Sequence, residues 1–287
     1  MTPTERRQRY RTQLAKAECI QPASIFDPIS SRLASALGFE VGMFAGSVAS
    51  AMVLGAPDIT LITLSEFVDQ ARRTTRASDI SLMVDSDHGY GNAMNVMRTV
   101  SELEIAEVCA MSIEDTALPT PFGEKQGTSV ITIAEAVGKM KAAVAAKRDP
   151  ATVIIGRCAA MTIEGIDGVV ARAKAYEEAG VDALFFVNLS TKEQVGAIRA
   201  ATTVPLMLGS APAELQDHAF LAANGVRILL KGHLPYQMMV QSIYDALKHH
   251  ADGGLPAGMG DRTPSAEVMA QALSNTEYDK WQGDFMK

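Results

Sequence analysis

The chain has 287 residues, of which 47% are hydrophobic and 21% are charged, and its formal net charge is -7 at pH 7. This length and apolar content suffice for one large buried core or two ordinary domains. The negative charge argues against nucleic acid or an anionic membrane as a partner. Because the N-terminal segment is charged and no apolar run approaches the ~18 residues of a membrane span, we expect a cytoplasmic protein.

Eight short apolar runs alternate along the chain with longer amphipathic segments, and we predict that each run is a β-strand. The runs are mostly apolar on both faces, which is typical of strands buried on both sides of a parallel sheet. The predicted strands are 18–26, 41–46, 80–87, 107–115, 151–157, 183–188, 204–210 and 226–233.

The intervening segments have the periodicity of amphipathic helices, most clearly at 134–147 and 163–180, and the second ends at Gly180, which suits the position after a helix C-terminus. Alternation of helices with eight strands predicts an α/β fold, a (β/α)8 TIM-type barrel. A doubly wound open sheet is the alternative. It is weakened because no G-x-G-x-x-G motif follows the first strand.

A Gly/Pro-rich stretch, "ADGGLPAGMGDRTPS", follows the predicted last barrel helix at 236–250. Two short helical segments then carry the bulky residues Trp281 and Phe285. We therefore divide the chain into a barrel domain at 1–255 and a C-terminal helical extension at 256–287. Eight units close a barrel without this extension, so we expect it to pack on the barrel bottom or on another subunit.

Acidic residues collect where the predicted strands end, and this is the edge at which a (β/α)8 barrel carries its chemistry. Asp85 and Asp87 end the third strand on one face, Glu114 ends the fourth, and Asp58 follows the second. Like charges so placed repel one another unless a cation lies between them, and Mg²⁺ prefers such oxygen ligands while keeping several waters. The pattern predicts one Mg²⁺ ion per subunit, with Mn²⁺ as an alternative.

A single acid after a strand is more often a helix cap or a solvated loop charge, and Asp115 fits that role. Arg157, at the end of the fifth strand, either forms a salt bridge with a neighbouring acid or clamps a carboxylate or enolate. His88 alone does not favour zinc, because no second histidine has ligand spacing. Further polar or small residues at strand ends are Ala45, Gly46, Ser47, Asn188 and His233.

Three stretches, "RRTTRASDISLMVDSDHGYGNAMNVMRTV", "SIEDTALP" and "VIIGRCAAMTIEGIDGVVARAKAYEEAG", resemble the phosphoenolpyruvate mutase/isocitrate lyase superfamily. The resemblance runs in order from about residue 5 to 250. It implies a (β/α)8 barrel, Mg²⁺, α-keto acid substrates and an enolate-like intermediate. It also implies a homotetramer in which neighbouring barrels exchange C-terminal helices.

The resemblance also implies a role for each site residue. Asp85 is the direct metal ligand, and Asp58, Asp87 and Glu114 reach the ion through waters. The residues implied at the substrate are Ala45, Gly46 and Ser47 through their backbone, together with Arg157, Asn188 and His233. Arg157 and His233 are the implied catalytic pair.

The loop after the fourth strand, "TALPTPFGEKQGTS", separates the branches of the superfamily. Its carbon–carbon lyases carry a K-[KR]-C-G-H motif there, with the cysteine as acid, and this chain has none. The mutases and phosphonopyruvate hydrolases have a lysine and an asparagine on that loop, whereas here Lys125 lies later. The segment "KGHLPY" supplies His233, and the combination most resembles the oxaloacetate decarboxylase branch.

We therefore predict an enzyme that decarboxylates a small α-keto diacid, oxaloacetate or a 3-alkyl oxaloacetate, to pyruvate and carbon dioxide in the case of oxaloacetate. The metal acts as a Lewis acid for the enolate. His233 either returns a proton to C3 or orients the C4 carboxylate, and both roles remain open. The alternatives are a carbon–carbon lyase or phosphonopyruvate-type hydrolase of the same superfamily, and a non-catalytic ligand-binding barrel.

Overall fold

Eight parallel strands, each hydrogen-bonded to the next along the chain, form the centre of the molecule. The structure is a computed structural model and describes residues 1–125, 129–209 and 211–287. The strands are β1 (Ala23–Ser24), β2 (Val41–Phe44), β3 (Ser81–Asp85), β4 (Ala110–Glu114), β5 (Val153–Cys158), β6 (Ala183–Val187), β7 (Leu206–Gly209) and β8 (Val226–Leu230). Each lies within a predicted strand or extends one residue beyond it, which confirms the α/β barrel. Ser210, the end of the predicted seventh strand, lies outside the described residues.

The first and last strands meet at a seam that closes the sheet. Ile20 pairs in parallel with Ile228. The Ile20 N–H donates to the Arg227 carbonyl, and the Leu229 N–H donates to the Ile20 carbonyl, both at 2.9 Å. The first strand is much shorter than the predicted 18–26, since Pro22 has no N–H to donate to a ladder.

Helices cover the outside of the barrel, and every residue of β2, β3 and β4 is buried. The two clearest predicted helices correspond to α6 and α7, and α7 kinks at Gly165, whose φ is 67°. A π-helical turn, Ser50–Leu54, follows α3. The α-helices are α1 (Pro3–Ala15), α2 (Pro28–Ala36), α3 (Gly46–Ala49), α4 (Leu64–Thr75), α5 (Ala93–Ile105), α6 (Ile133–Ala146), α7 (Met161–Glu178), α8 (Lys192–Ala201), α9 (His218–Ala223), α10 (Leu234–Ala251), α11 (Ala266–Leu273) and α12 (Asn275–Phe285).

Helix α10, which follows the last strand, buries no side chain fully, and only Tyr236 and Met239 pack in part against the core of its own barrel. Its apolar residues Leu234, Met238, Ile243 and Leu247 are 51–65% exposed. Near its start, Tyr236 meets the ring of Phe26 edge to face, with the centroids 6.0 Å apart. An apolar groove of about 790 Å³ remains open between the start of α10 and α2.

The C-terminal extension contacts the barrel through one of its two helices. Helix α11 packs on α2, where Ala272 is buried and its carbonyl accepts a hydrogen bond of 3.3 Å from Arg32 Nη1. Trp281 and Phe285 of α12 remain exposed. None of the helices in the described part of the chain has the length and apolar character that a membrane crossing requires.

Candidate active site

A cavity of about 320 Å³ opens at the C-terminal ends of the strands. All predicted site residues except Gly46 line it, although they come from six different strand ends and connecting segments. The predicted residues at its wall are Ala45, Ser47, Asp58, Asp85, Asp87, Glu114, Arg157, Asn188 and His233. The barrel thus gathers into one place the polar residues that the sequence carries far apart.

Asp85 lies at the centre of the acidic side of this cavity and accepts hydrogen bonds from two neighbouring strands. Arg157 Nη1 on β5 donates to its Oδ2, and Ser112 Oγ on β4 donates to its Oδ1 at 2.8 Å. Arg157 Nη2 also lies 3.2 Å from Glu114 Oε2. Arg157 therefore forms the predicted salt bridge, with two acids at once, and clamping of a substrate remains a prediction.

Burial and the repulsion between neighbouring carboxylates both raise the pKa values of three of these acids. Burial chiefly raises the pKa of Asp87 well above its usual value, and the charges of Asp85 and Glu114 raise it further. Burial also raises the pKa of Glu114, against the opposing charge of Arg157. The pKa of Asp58 is raised by partial burial and then by Asp85. A further positive charge among these carboxylates would favour their ionised forms.

These donors fit a hydrated, hard cation better than a soft one. Among residues 1–125, 129–209 and 211–287, no group of three or more His, Cys, Asp or Glu side chains is arranged to hold a metal ion by itself. Zinc requires such a set, whereas Mg²⁺ keeps several waters and takes only one or two carboxylates from the protein. The carboxylates around Asp85 suit an ion of the second kind.

The loop after β3, "SDHGYGN", has an unusual number of positive φ values. Asp87, Gly89, Tyr90 and Gly91 all have positive φ values, of 47°, 79°, 61° and 144°. The Asp87 carbonyl accepts a hydrogen bond from the Glu114 N–H at 2.8 Å, so the two acid-bearing strand ends are joined directly.

A buried lysine holds this loop, and a histidine of the loop is itself buried. Lys139 Nζ on α6 donates to the His88 carbonyl at 3.0 Å. The His88 ring is buried, its Nδ1 has no hydrogen-bond partner among the described residues, and burial lowers its pKa to about 4. His88 is therefore neutral at pH 7 and packs beneath the acids rather than among the groups that line the cavity.

Gly46 contributes by having no side chain. A Cβ at this position would lie 2.5 Å from Asp87 Oδ1, which is closer than any real contact. The end of β2 and the acid after β3 can approach only because residue 46 is glycine. Gly46 thus belongs to the site as the wall against which the Asp87 carboxylate rests.

His233 is the N-cap residue of α10 and lines the cavity. Its Nδ1 and Ser24 Oγ of β1 share a hydrogen bond of 2.9 Å. Partial burial lowers the pKa of His233, and the charge of Asp85 opposes this only in part. The imidazole is accordingly neutral at pH 7 and held by one ring nitrogen.

Sequence reasoning missed several residues that shape the site. Ser112 had a usable signal, since it lies two residues before Glu114 and so faces the same side of β4. Phe185, whose ring lies 5.4 Å from Arg157 Cζ, looks like any core residue in sequence. Ser24 and Thr60 carry no motif and are brought to the cavity by the fold.

Asp115 does not cap a helix or lie in solvent, so that interpretation was wrong. It is fully buried beside the site and accepts hydrogen bonds from Tyr176 Oη at 2.6 Å, the Ala159 N–H at 2.8 Å and Arg172 Nη1 at 3.3 Å. These contacts make it the centre of a structural network that joins β4, β5 and α7.

Three kinds of comparison find similar proteins. The model of the family described as phosphoenolpyruvate phosphomutase matches residues 11–251. An oxaloacetate decarboxylase of Bradyrhizobium sp. (strain BTAi1 / ATCC BAA-1182) is 49% identical over 280 residues, which cover 98% of this chain and 96% of that protein. One of Rhodopseudomonas palustris (strain BisB18) is 49% identical over 281 residues, covering 98% and 93%. A solved phosphonopyruvate hydrolase in complex with oxalate and Mg²⁺ is 26% identical, with a TM-score of 0.85 and 100% of both chains covered.

Proposed function

We propose that this chain, which belongs to the phosphoenolpyruvate phosphomutase family, decarboxylates oxaloacetate to pyruvate and carbon dioxide with one divalent ion, Mg²⁺ or alternatively Mn²⁺. The similarity to proteins named oxaloacetate decarboxylase over nearly the whole chain supports this reaction. The distribution of charge in the cavity is the structural observation that carries the proposal.

The reaction moves negative charge from one end of the substrate to the other. When the C3–C4 bond breaks, its electrons pass into the enolate of pyruvate, and the C4 carboxylate leaves as neutral carbon dioxide. A cation at C4 would stabilise the substrate more than the transition state and so slow the reaction. Groups that stabilise charge are needed at the C1–C2 end alone.

The charged residues that line the cavity match this requirement. Among the described residues that line it, Arg157 is the only side chain with a permanent positive charge, and it lies against Asp85 and Glu114. The remaining donors are neutral, including Asn188 and the uncharged His233. A hydrolase or mutase that handles a phosphonate dianion requires cations at the opposite end, so this distribution favours decarboxylation.

In the proposed mechanism, Asp85 holds the ion and Asp87, Glu114 and Asp58 hold its waters. When bound, the ion supplies a Lewis acid for an α-keto carboxylate. Arg157 binds the substrate oxygens at the same end and stabilises the charge of the enolate, a type of contact worth ~3 kcal/mol. The backbone at Ala45, Gly46 and Ser47 borders those oxygens.

At the other end, His233 and Asn188 orient the C4 carboxylate by hydrogen bonds. The neutral state of His233 and its bond to Ser24 support orientation rather than donation of a proton from an imidazolium. The proton that C3 takes up then comes from water.

Formation of pyruvate from oxaloacetate tests the function directly. The protein is incubated with oxaloacetate and Mg²⁺, and pyruvate is followed by a coupled dehydrogenase against the spontaneous rate in the same buffer. We expect a rate proportional to protein concentration that a chelator removes. A rate no faster than the protein-free reaction would rule out the proposal.

We further propose that the protein is a homotetramer in which the extension at 256–287 of one copy packs on the barrel at 1–255 of another, with the exposed face of α10 in the same interface. The exposed apolar face of α10 and the open groove beside α2 support this exchange. Removal of residues 234–287 should yield a smaller particle by light scattering, whereas removal of 262–287 alone tests the extension. A full-length chain that is monomeric at micromolar concentration would contradict the exchange.

A further inference from the structure

Thr60 has a backbone conformation that its side chain disfavours. Its φ is 63°, in the left-handed region. Among the described residues, the non-glycine positions with positive φ are Thr60, Asp87, Tyr90, Glu107, Asn188 and Ser274. Thr60 is the only β-branched residue of that group, and branching at Cβ makes this conformation a true outlier.

The turn itself does not explain a threonine here. Glycine adopts a positive φ without cost, so a position selected only for its turn would be better served by glycine. Strained residues persist where the atoms of the side chain are needed, and they cluster at functional sites. The question is therefore what the Thr60 side chain contacts.

Thr60 lines the candidate active-site cavity together with Asp58, Asp85 and His233. Within residues 1–125, 129–209 and 211–287, its hydroxyl makes no hydrogen bond. The side chain is half-buried, so the hydroxyl is neither fully solvated nor satisfied by the protein. A donor in this position is available to a molecule in the cavity.

We propose that Thr60 contacts the substrate and that its hydroxyl donates a hydrogen bond to the C4 carboxylate of the bound keto diacid. This inference rests on the proposed decarboxylation, which requires that C4 be held without a cation. Arg157 is already engaged by Asp85 and Glu114. A neutral hydroxyl can donate a hydrogen bond to the C4 carboxylate without holding the negative charge there as a cation would. The charge can therefore pass into the enolate when the C3–C4 bond breaks.

Two substitutions separate the hydroxyl from the shape of the residue. Thr60→Val keeps the branched Cβ and the backbone strain but has no hydroxyl, and Thr60→Ser keeps the hydroxyl. We expect Thr60→Val to lower kcat/KM for oxaloacetate about 10- to 100-fold, the usual effect of one hydrogen bond to a charged group, and Thr60→Ser to recover most of it. Inhibition by oxalate, which lacks the C4 carboxylate, should change less than about twofold.

Thr60→Gly distinguishes a substrate contact from a turn residue. We expect its Tm to rise by about 2 °C, because the strain is relieved, while kcat/KM falls as in Thr60→Val. Wild-type kcat/KM in Thr60→Val would overturn the proposal, as would an equal weakening of oxalate inhibition.

The test also works if the proposed reaction fails. In that case the wild-type protein forms no excess pyruvate, and the contact is measured by calorimetry with Mg²⁺ and L-malate, a diacid with the same carbon chain. Weaker malate binding by Thr60→Val than by wild type supports the contact, and equal binding overturns it.

Discussion

The two ends of the barrel differ in how far the protein satisfies the hydrogen bonds of their charged residues. At the N-terminal end, helix α1 covers the strands, and the side chain of its residue Arg7 is buried. Arg7 Nη2 donates to the Glu104 carbonyl at 2.7 Å, its Nε donates to the Val108 carbonyl at 3.1 Å, and its Nη1 lies 2.8 Å from Asp149 Oδ2. All three nitrogens of this guanidinium have a partner in the protein.

At the C-terminal end, polar groups outnumber their partners. Arg157 is the one lining cation of the described cavity residues, and four acids lie around it. Within the described residues, the buried atoms Arg157 Nε, Ser86 Oγ and Tyr90 Oη lack hydrogen bonds at this end, whereas helix α1 at the other end has one such atom, Arg6 Nε. Buried polar groups are normally satisfied, so the contrast teaches that the first end serves stability while the second is completed by ligands.

Replacement of Asp85 is the strongest test of this difference between the two ends of the barrel. Asp85→Ala should lower metal-dependent decarboxylation at least ~1,000-fold, because the ion loses its direct ligand. The rise in Tm that Mg²⁺ gives the wild-type protein by binding should also vanish. The Tm without metal should change little, since one of several repelling acids is gone.

Asp69→Ala is the matched control, because Asp69 is a partly exposed acid that pairs with Arg72 and Arg73 on α4. It should keep both turnover and the Mg²⁺-dependent rise in Tm. Full activity of Asp85→Ala, or an unchanged response of its Tm to Mg²⁺, would refute the proposed metal site.

Removal of Arg7 should produce the opposite pattern. Arg7→Met removes one donor each from Asp149, the Glu104 carbonyl and the Val108 carbonyl, and we expect the free energy of unfolding in urea to fall by about 3 kcal/mol. KM for oxaloacetate should not change at temperatures where the variant is folded. Arg73→Met removes an exposed arginine and should cost less than about 1 kcal/mol. A large change in KM of Arg7→Met would show that the two ends are coupled.

Acid titration should reveal the unsatisfied His88. Its pKa is lowered to about 4 in the folded protein, so the unfolded chain binds a proton that the folded chain refuses. Stability is therefore lost as pH falls from about 6.5 towards 4, by roughly 3 kcal/mol for this group. In His88→Gln, the loss of unfolding free energy across this window should be smaller by that amount. An unchanged slope would mean that other groups cause it.

The smallest expected effect concerns His233. If a neutral imidazole orients the C4 carboxylate, His233→Ala should raise KM for oxaloacetate about tenfold with little change in kcat, and His233→Gln should be close to wild type. A general acid would instead be worth ~100-fold or more in kcat and could not be replaced by glutamine. Loss of kcat in both variants would therefore return His233 to the role of proton donor.

The strands and the acids could be predicted because both depend on local pattern. Short runs that are apolar on both faces gave all eight strands, and acids at their ends gave Asp85, Asp87 and Glu114. The length of β1 could not be predicted in this way, since it depends on pairing with β2, which is limited to Ala23 and Ser24.

The parts that escaped prediction depend on contacts between distant segments or on backbone angles. Gly46 is required because of Asp87, which lies on another strand end. The strain at Thr60 is a property of φ, and threonine is common in turns and strands alike. The exposed face of α10 has the same apolar pattern as a helix that covers its own barrel, so the sequence predicted a covering helix where the structure has an uncovered one.

The seam of the barrel has a consequence for local opening. β1 contributes two residues to its ladder, and one further bridge, Ile20 to Ile228, joins the first strand segment to the last. Above that bridge, the bond between Ser24 and His233 spans the same junction. With so few ladder hydrogen bonds, amide hydrogens of the seam should exchange with solvent faster than those of β3 to β5. His233, which we propose orients the substrate, thus also joins the two strands at the seam through its bond to Ser24.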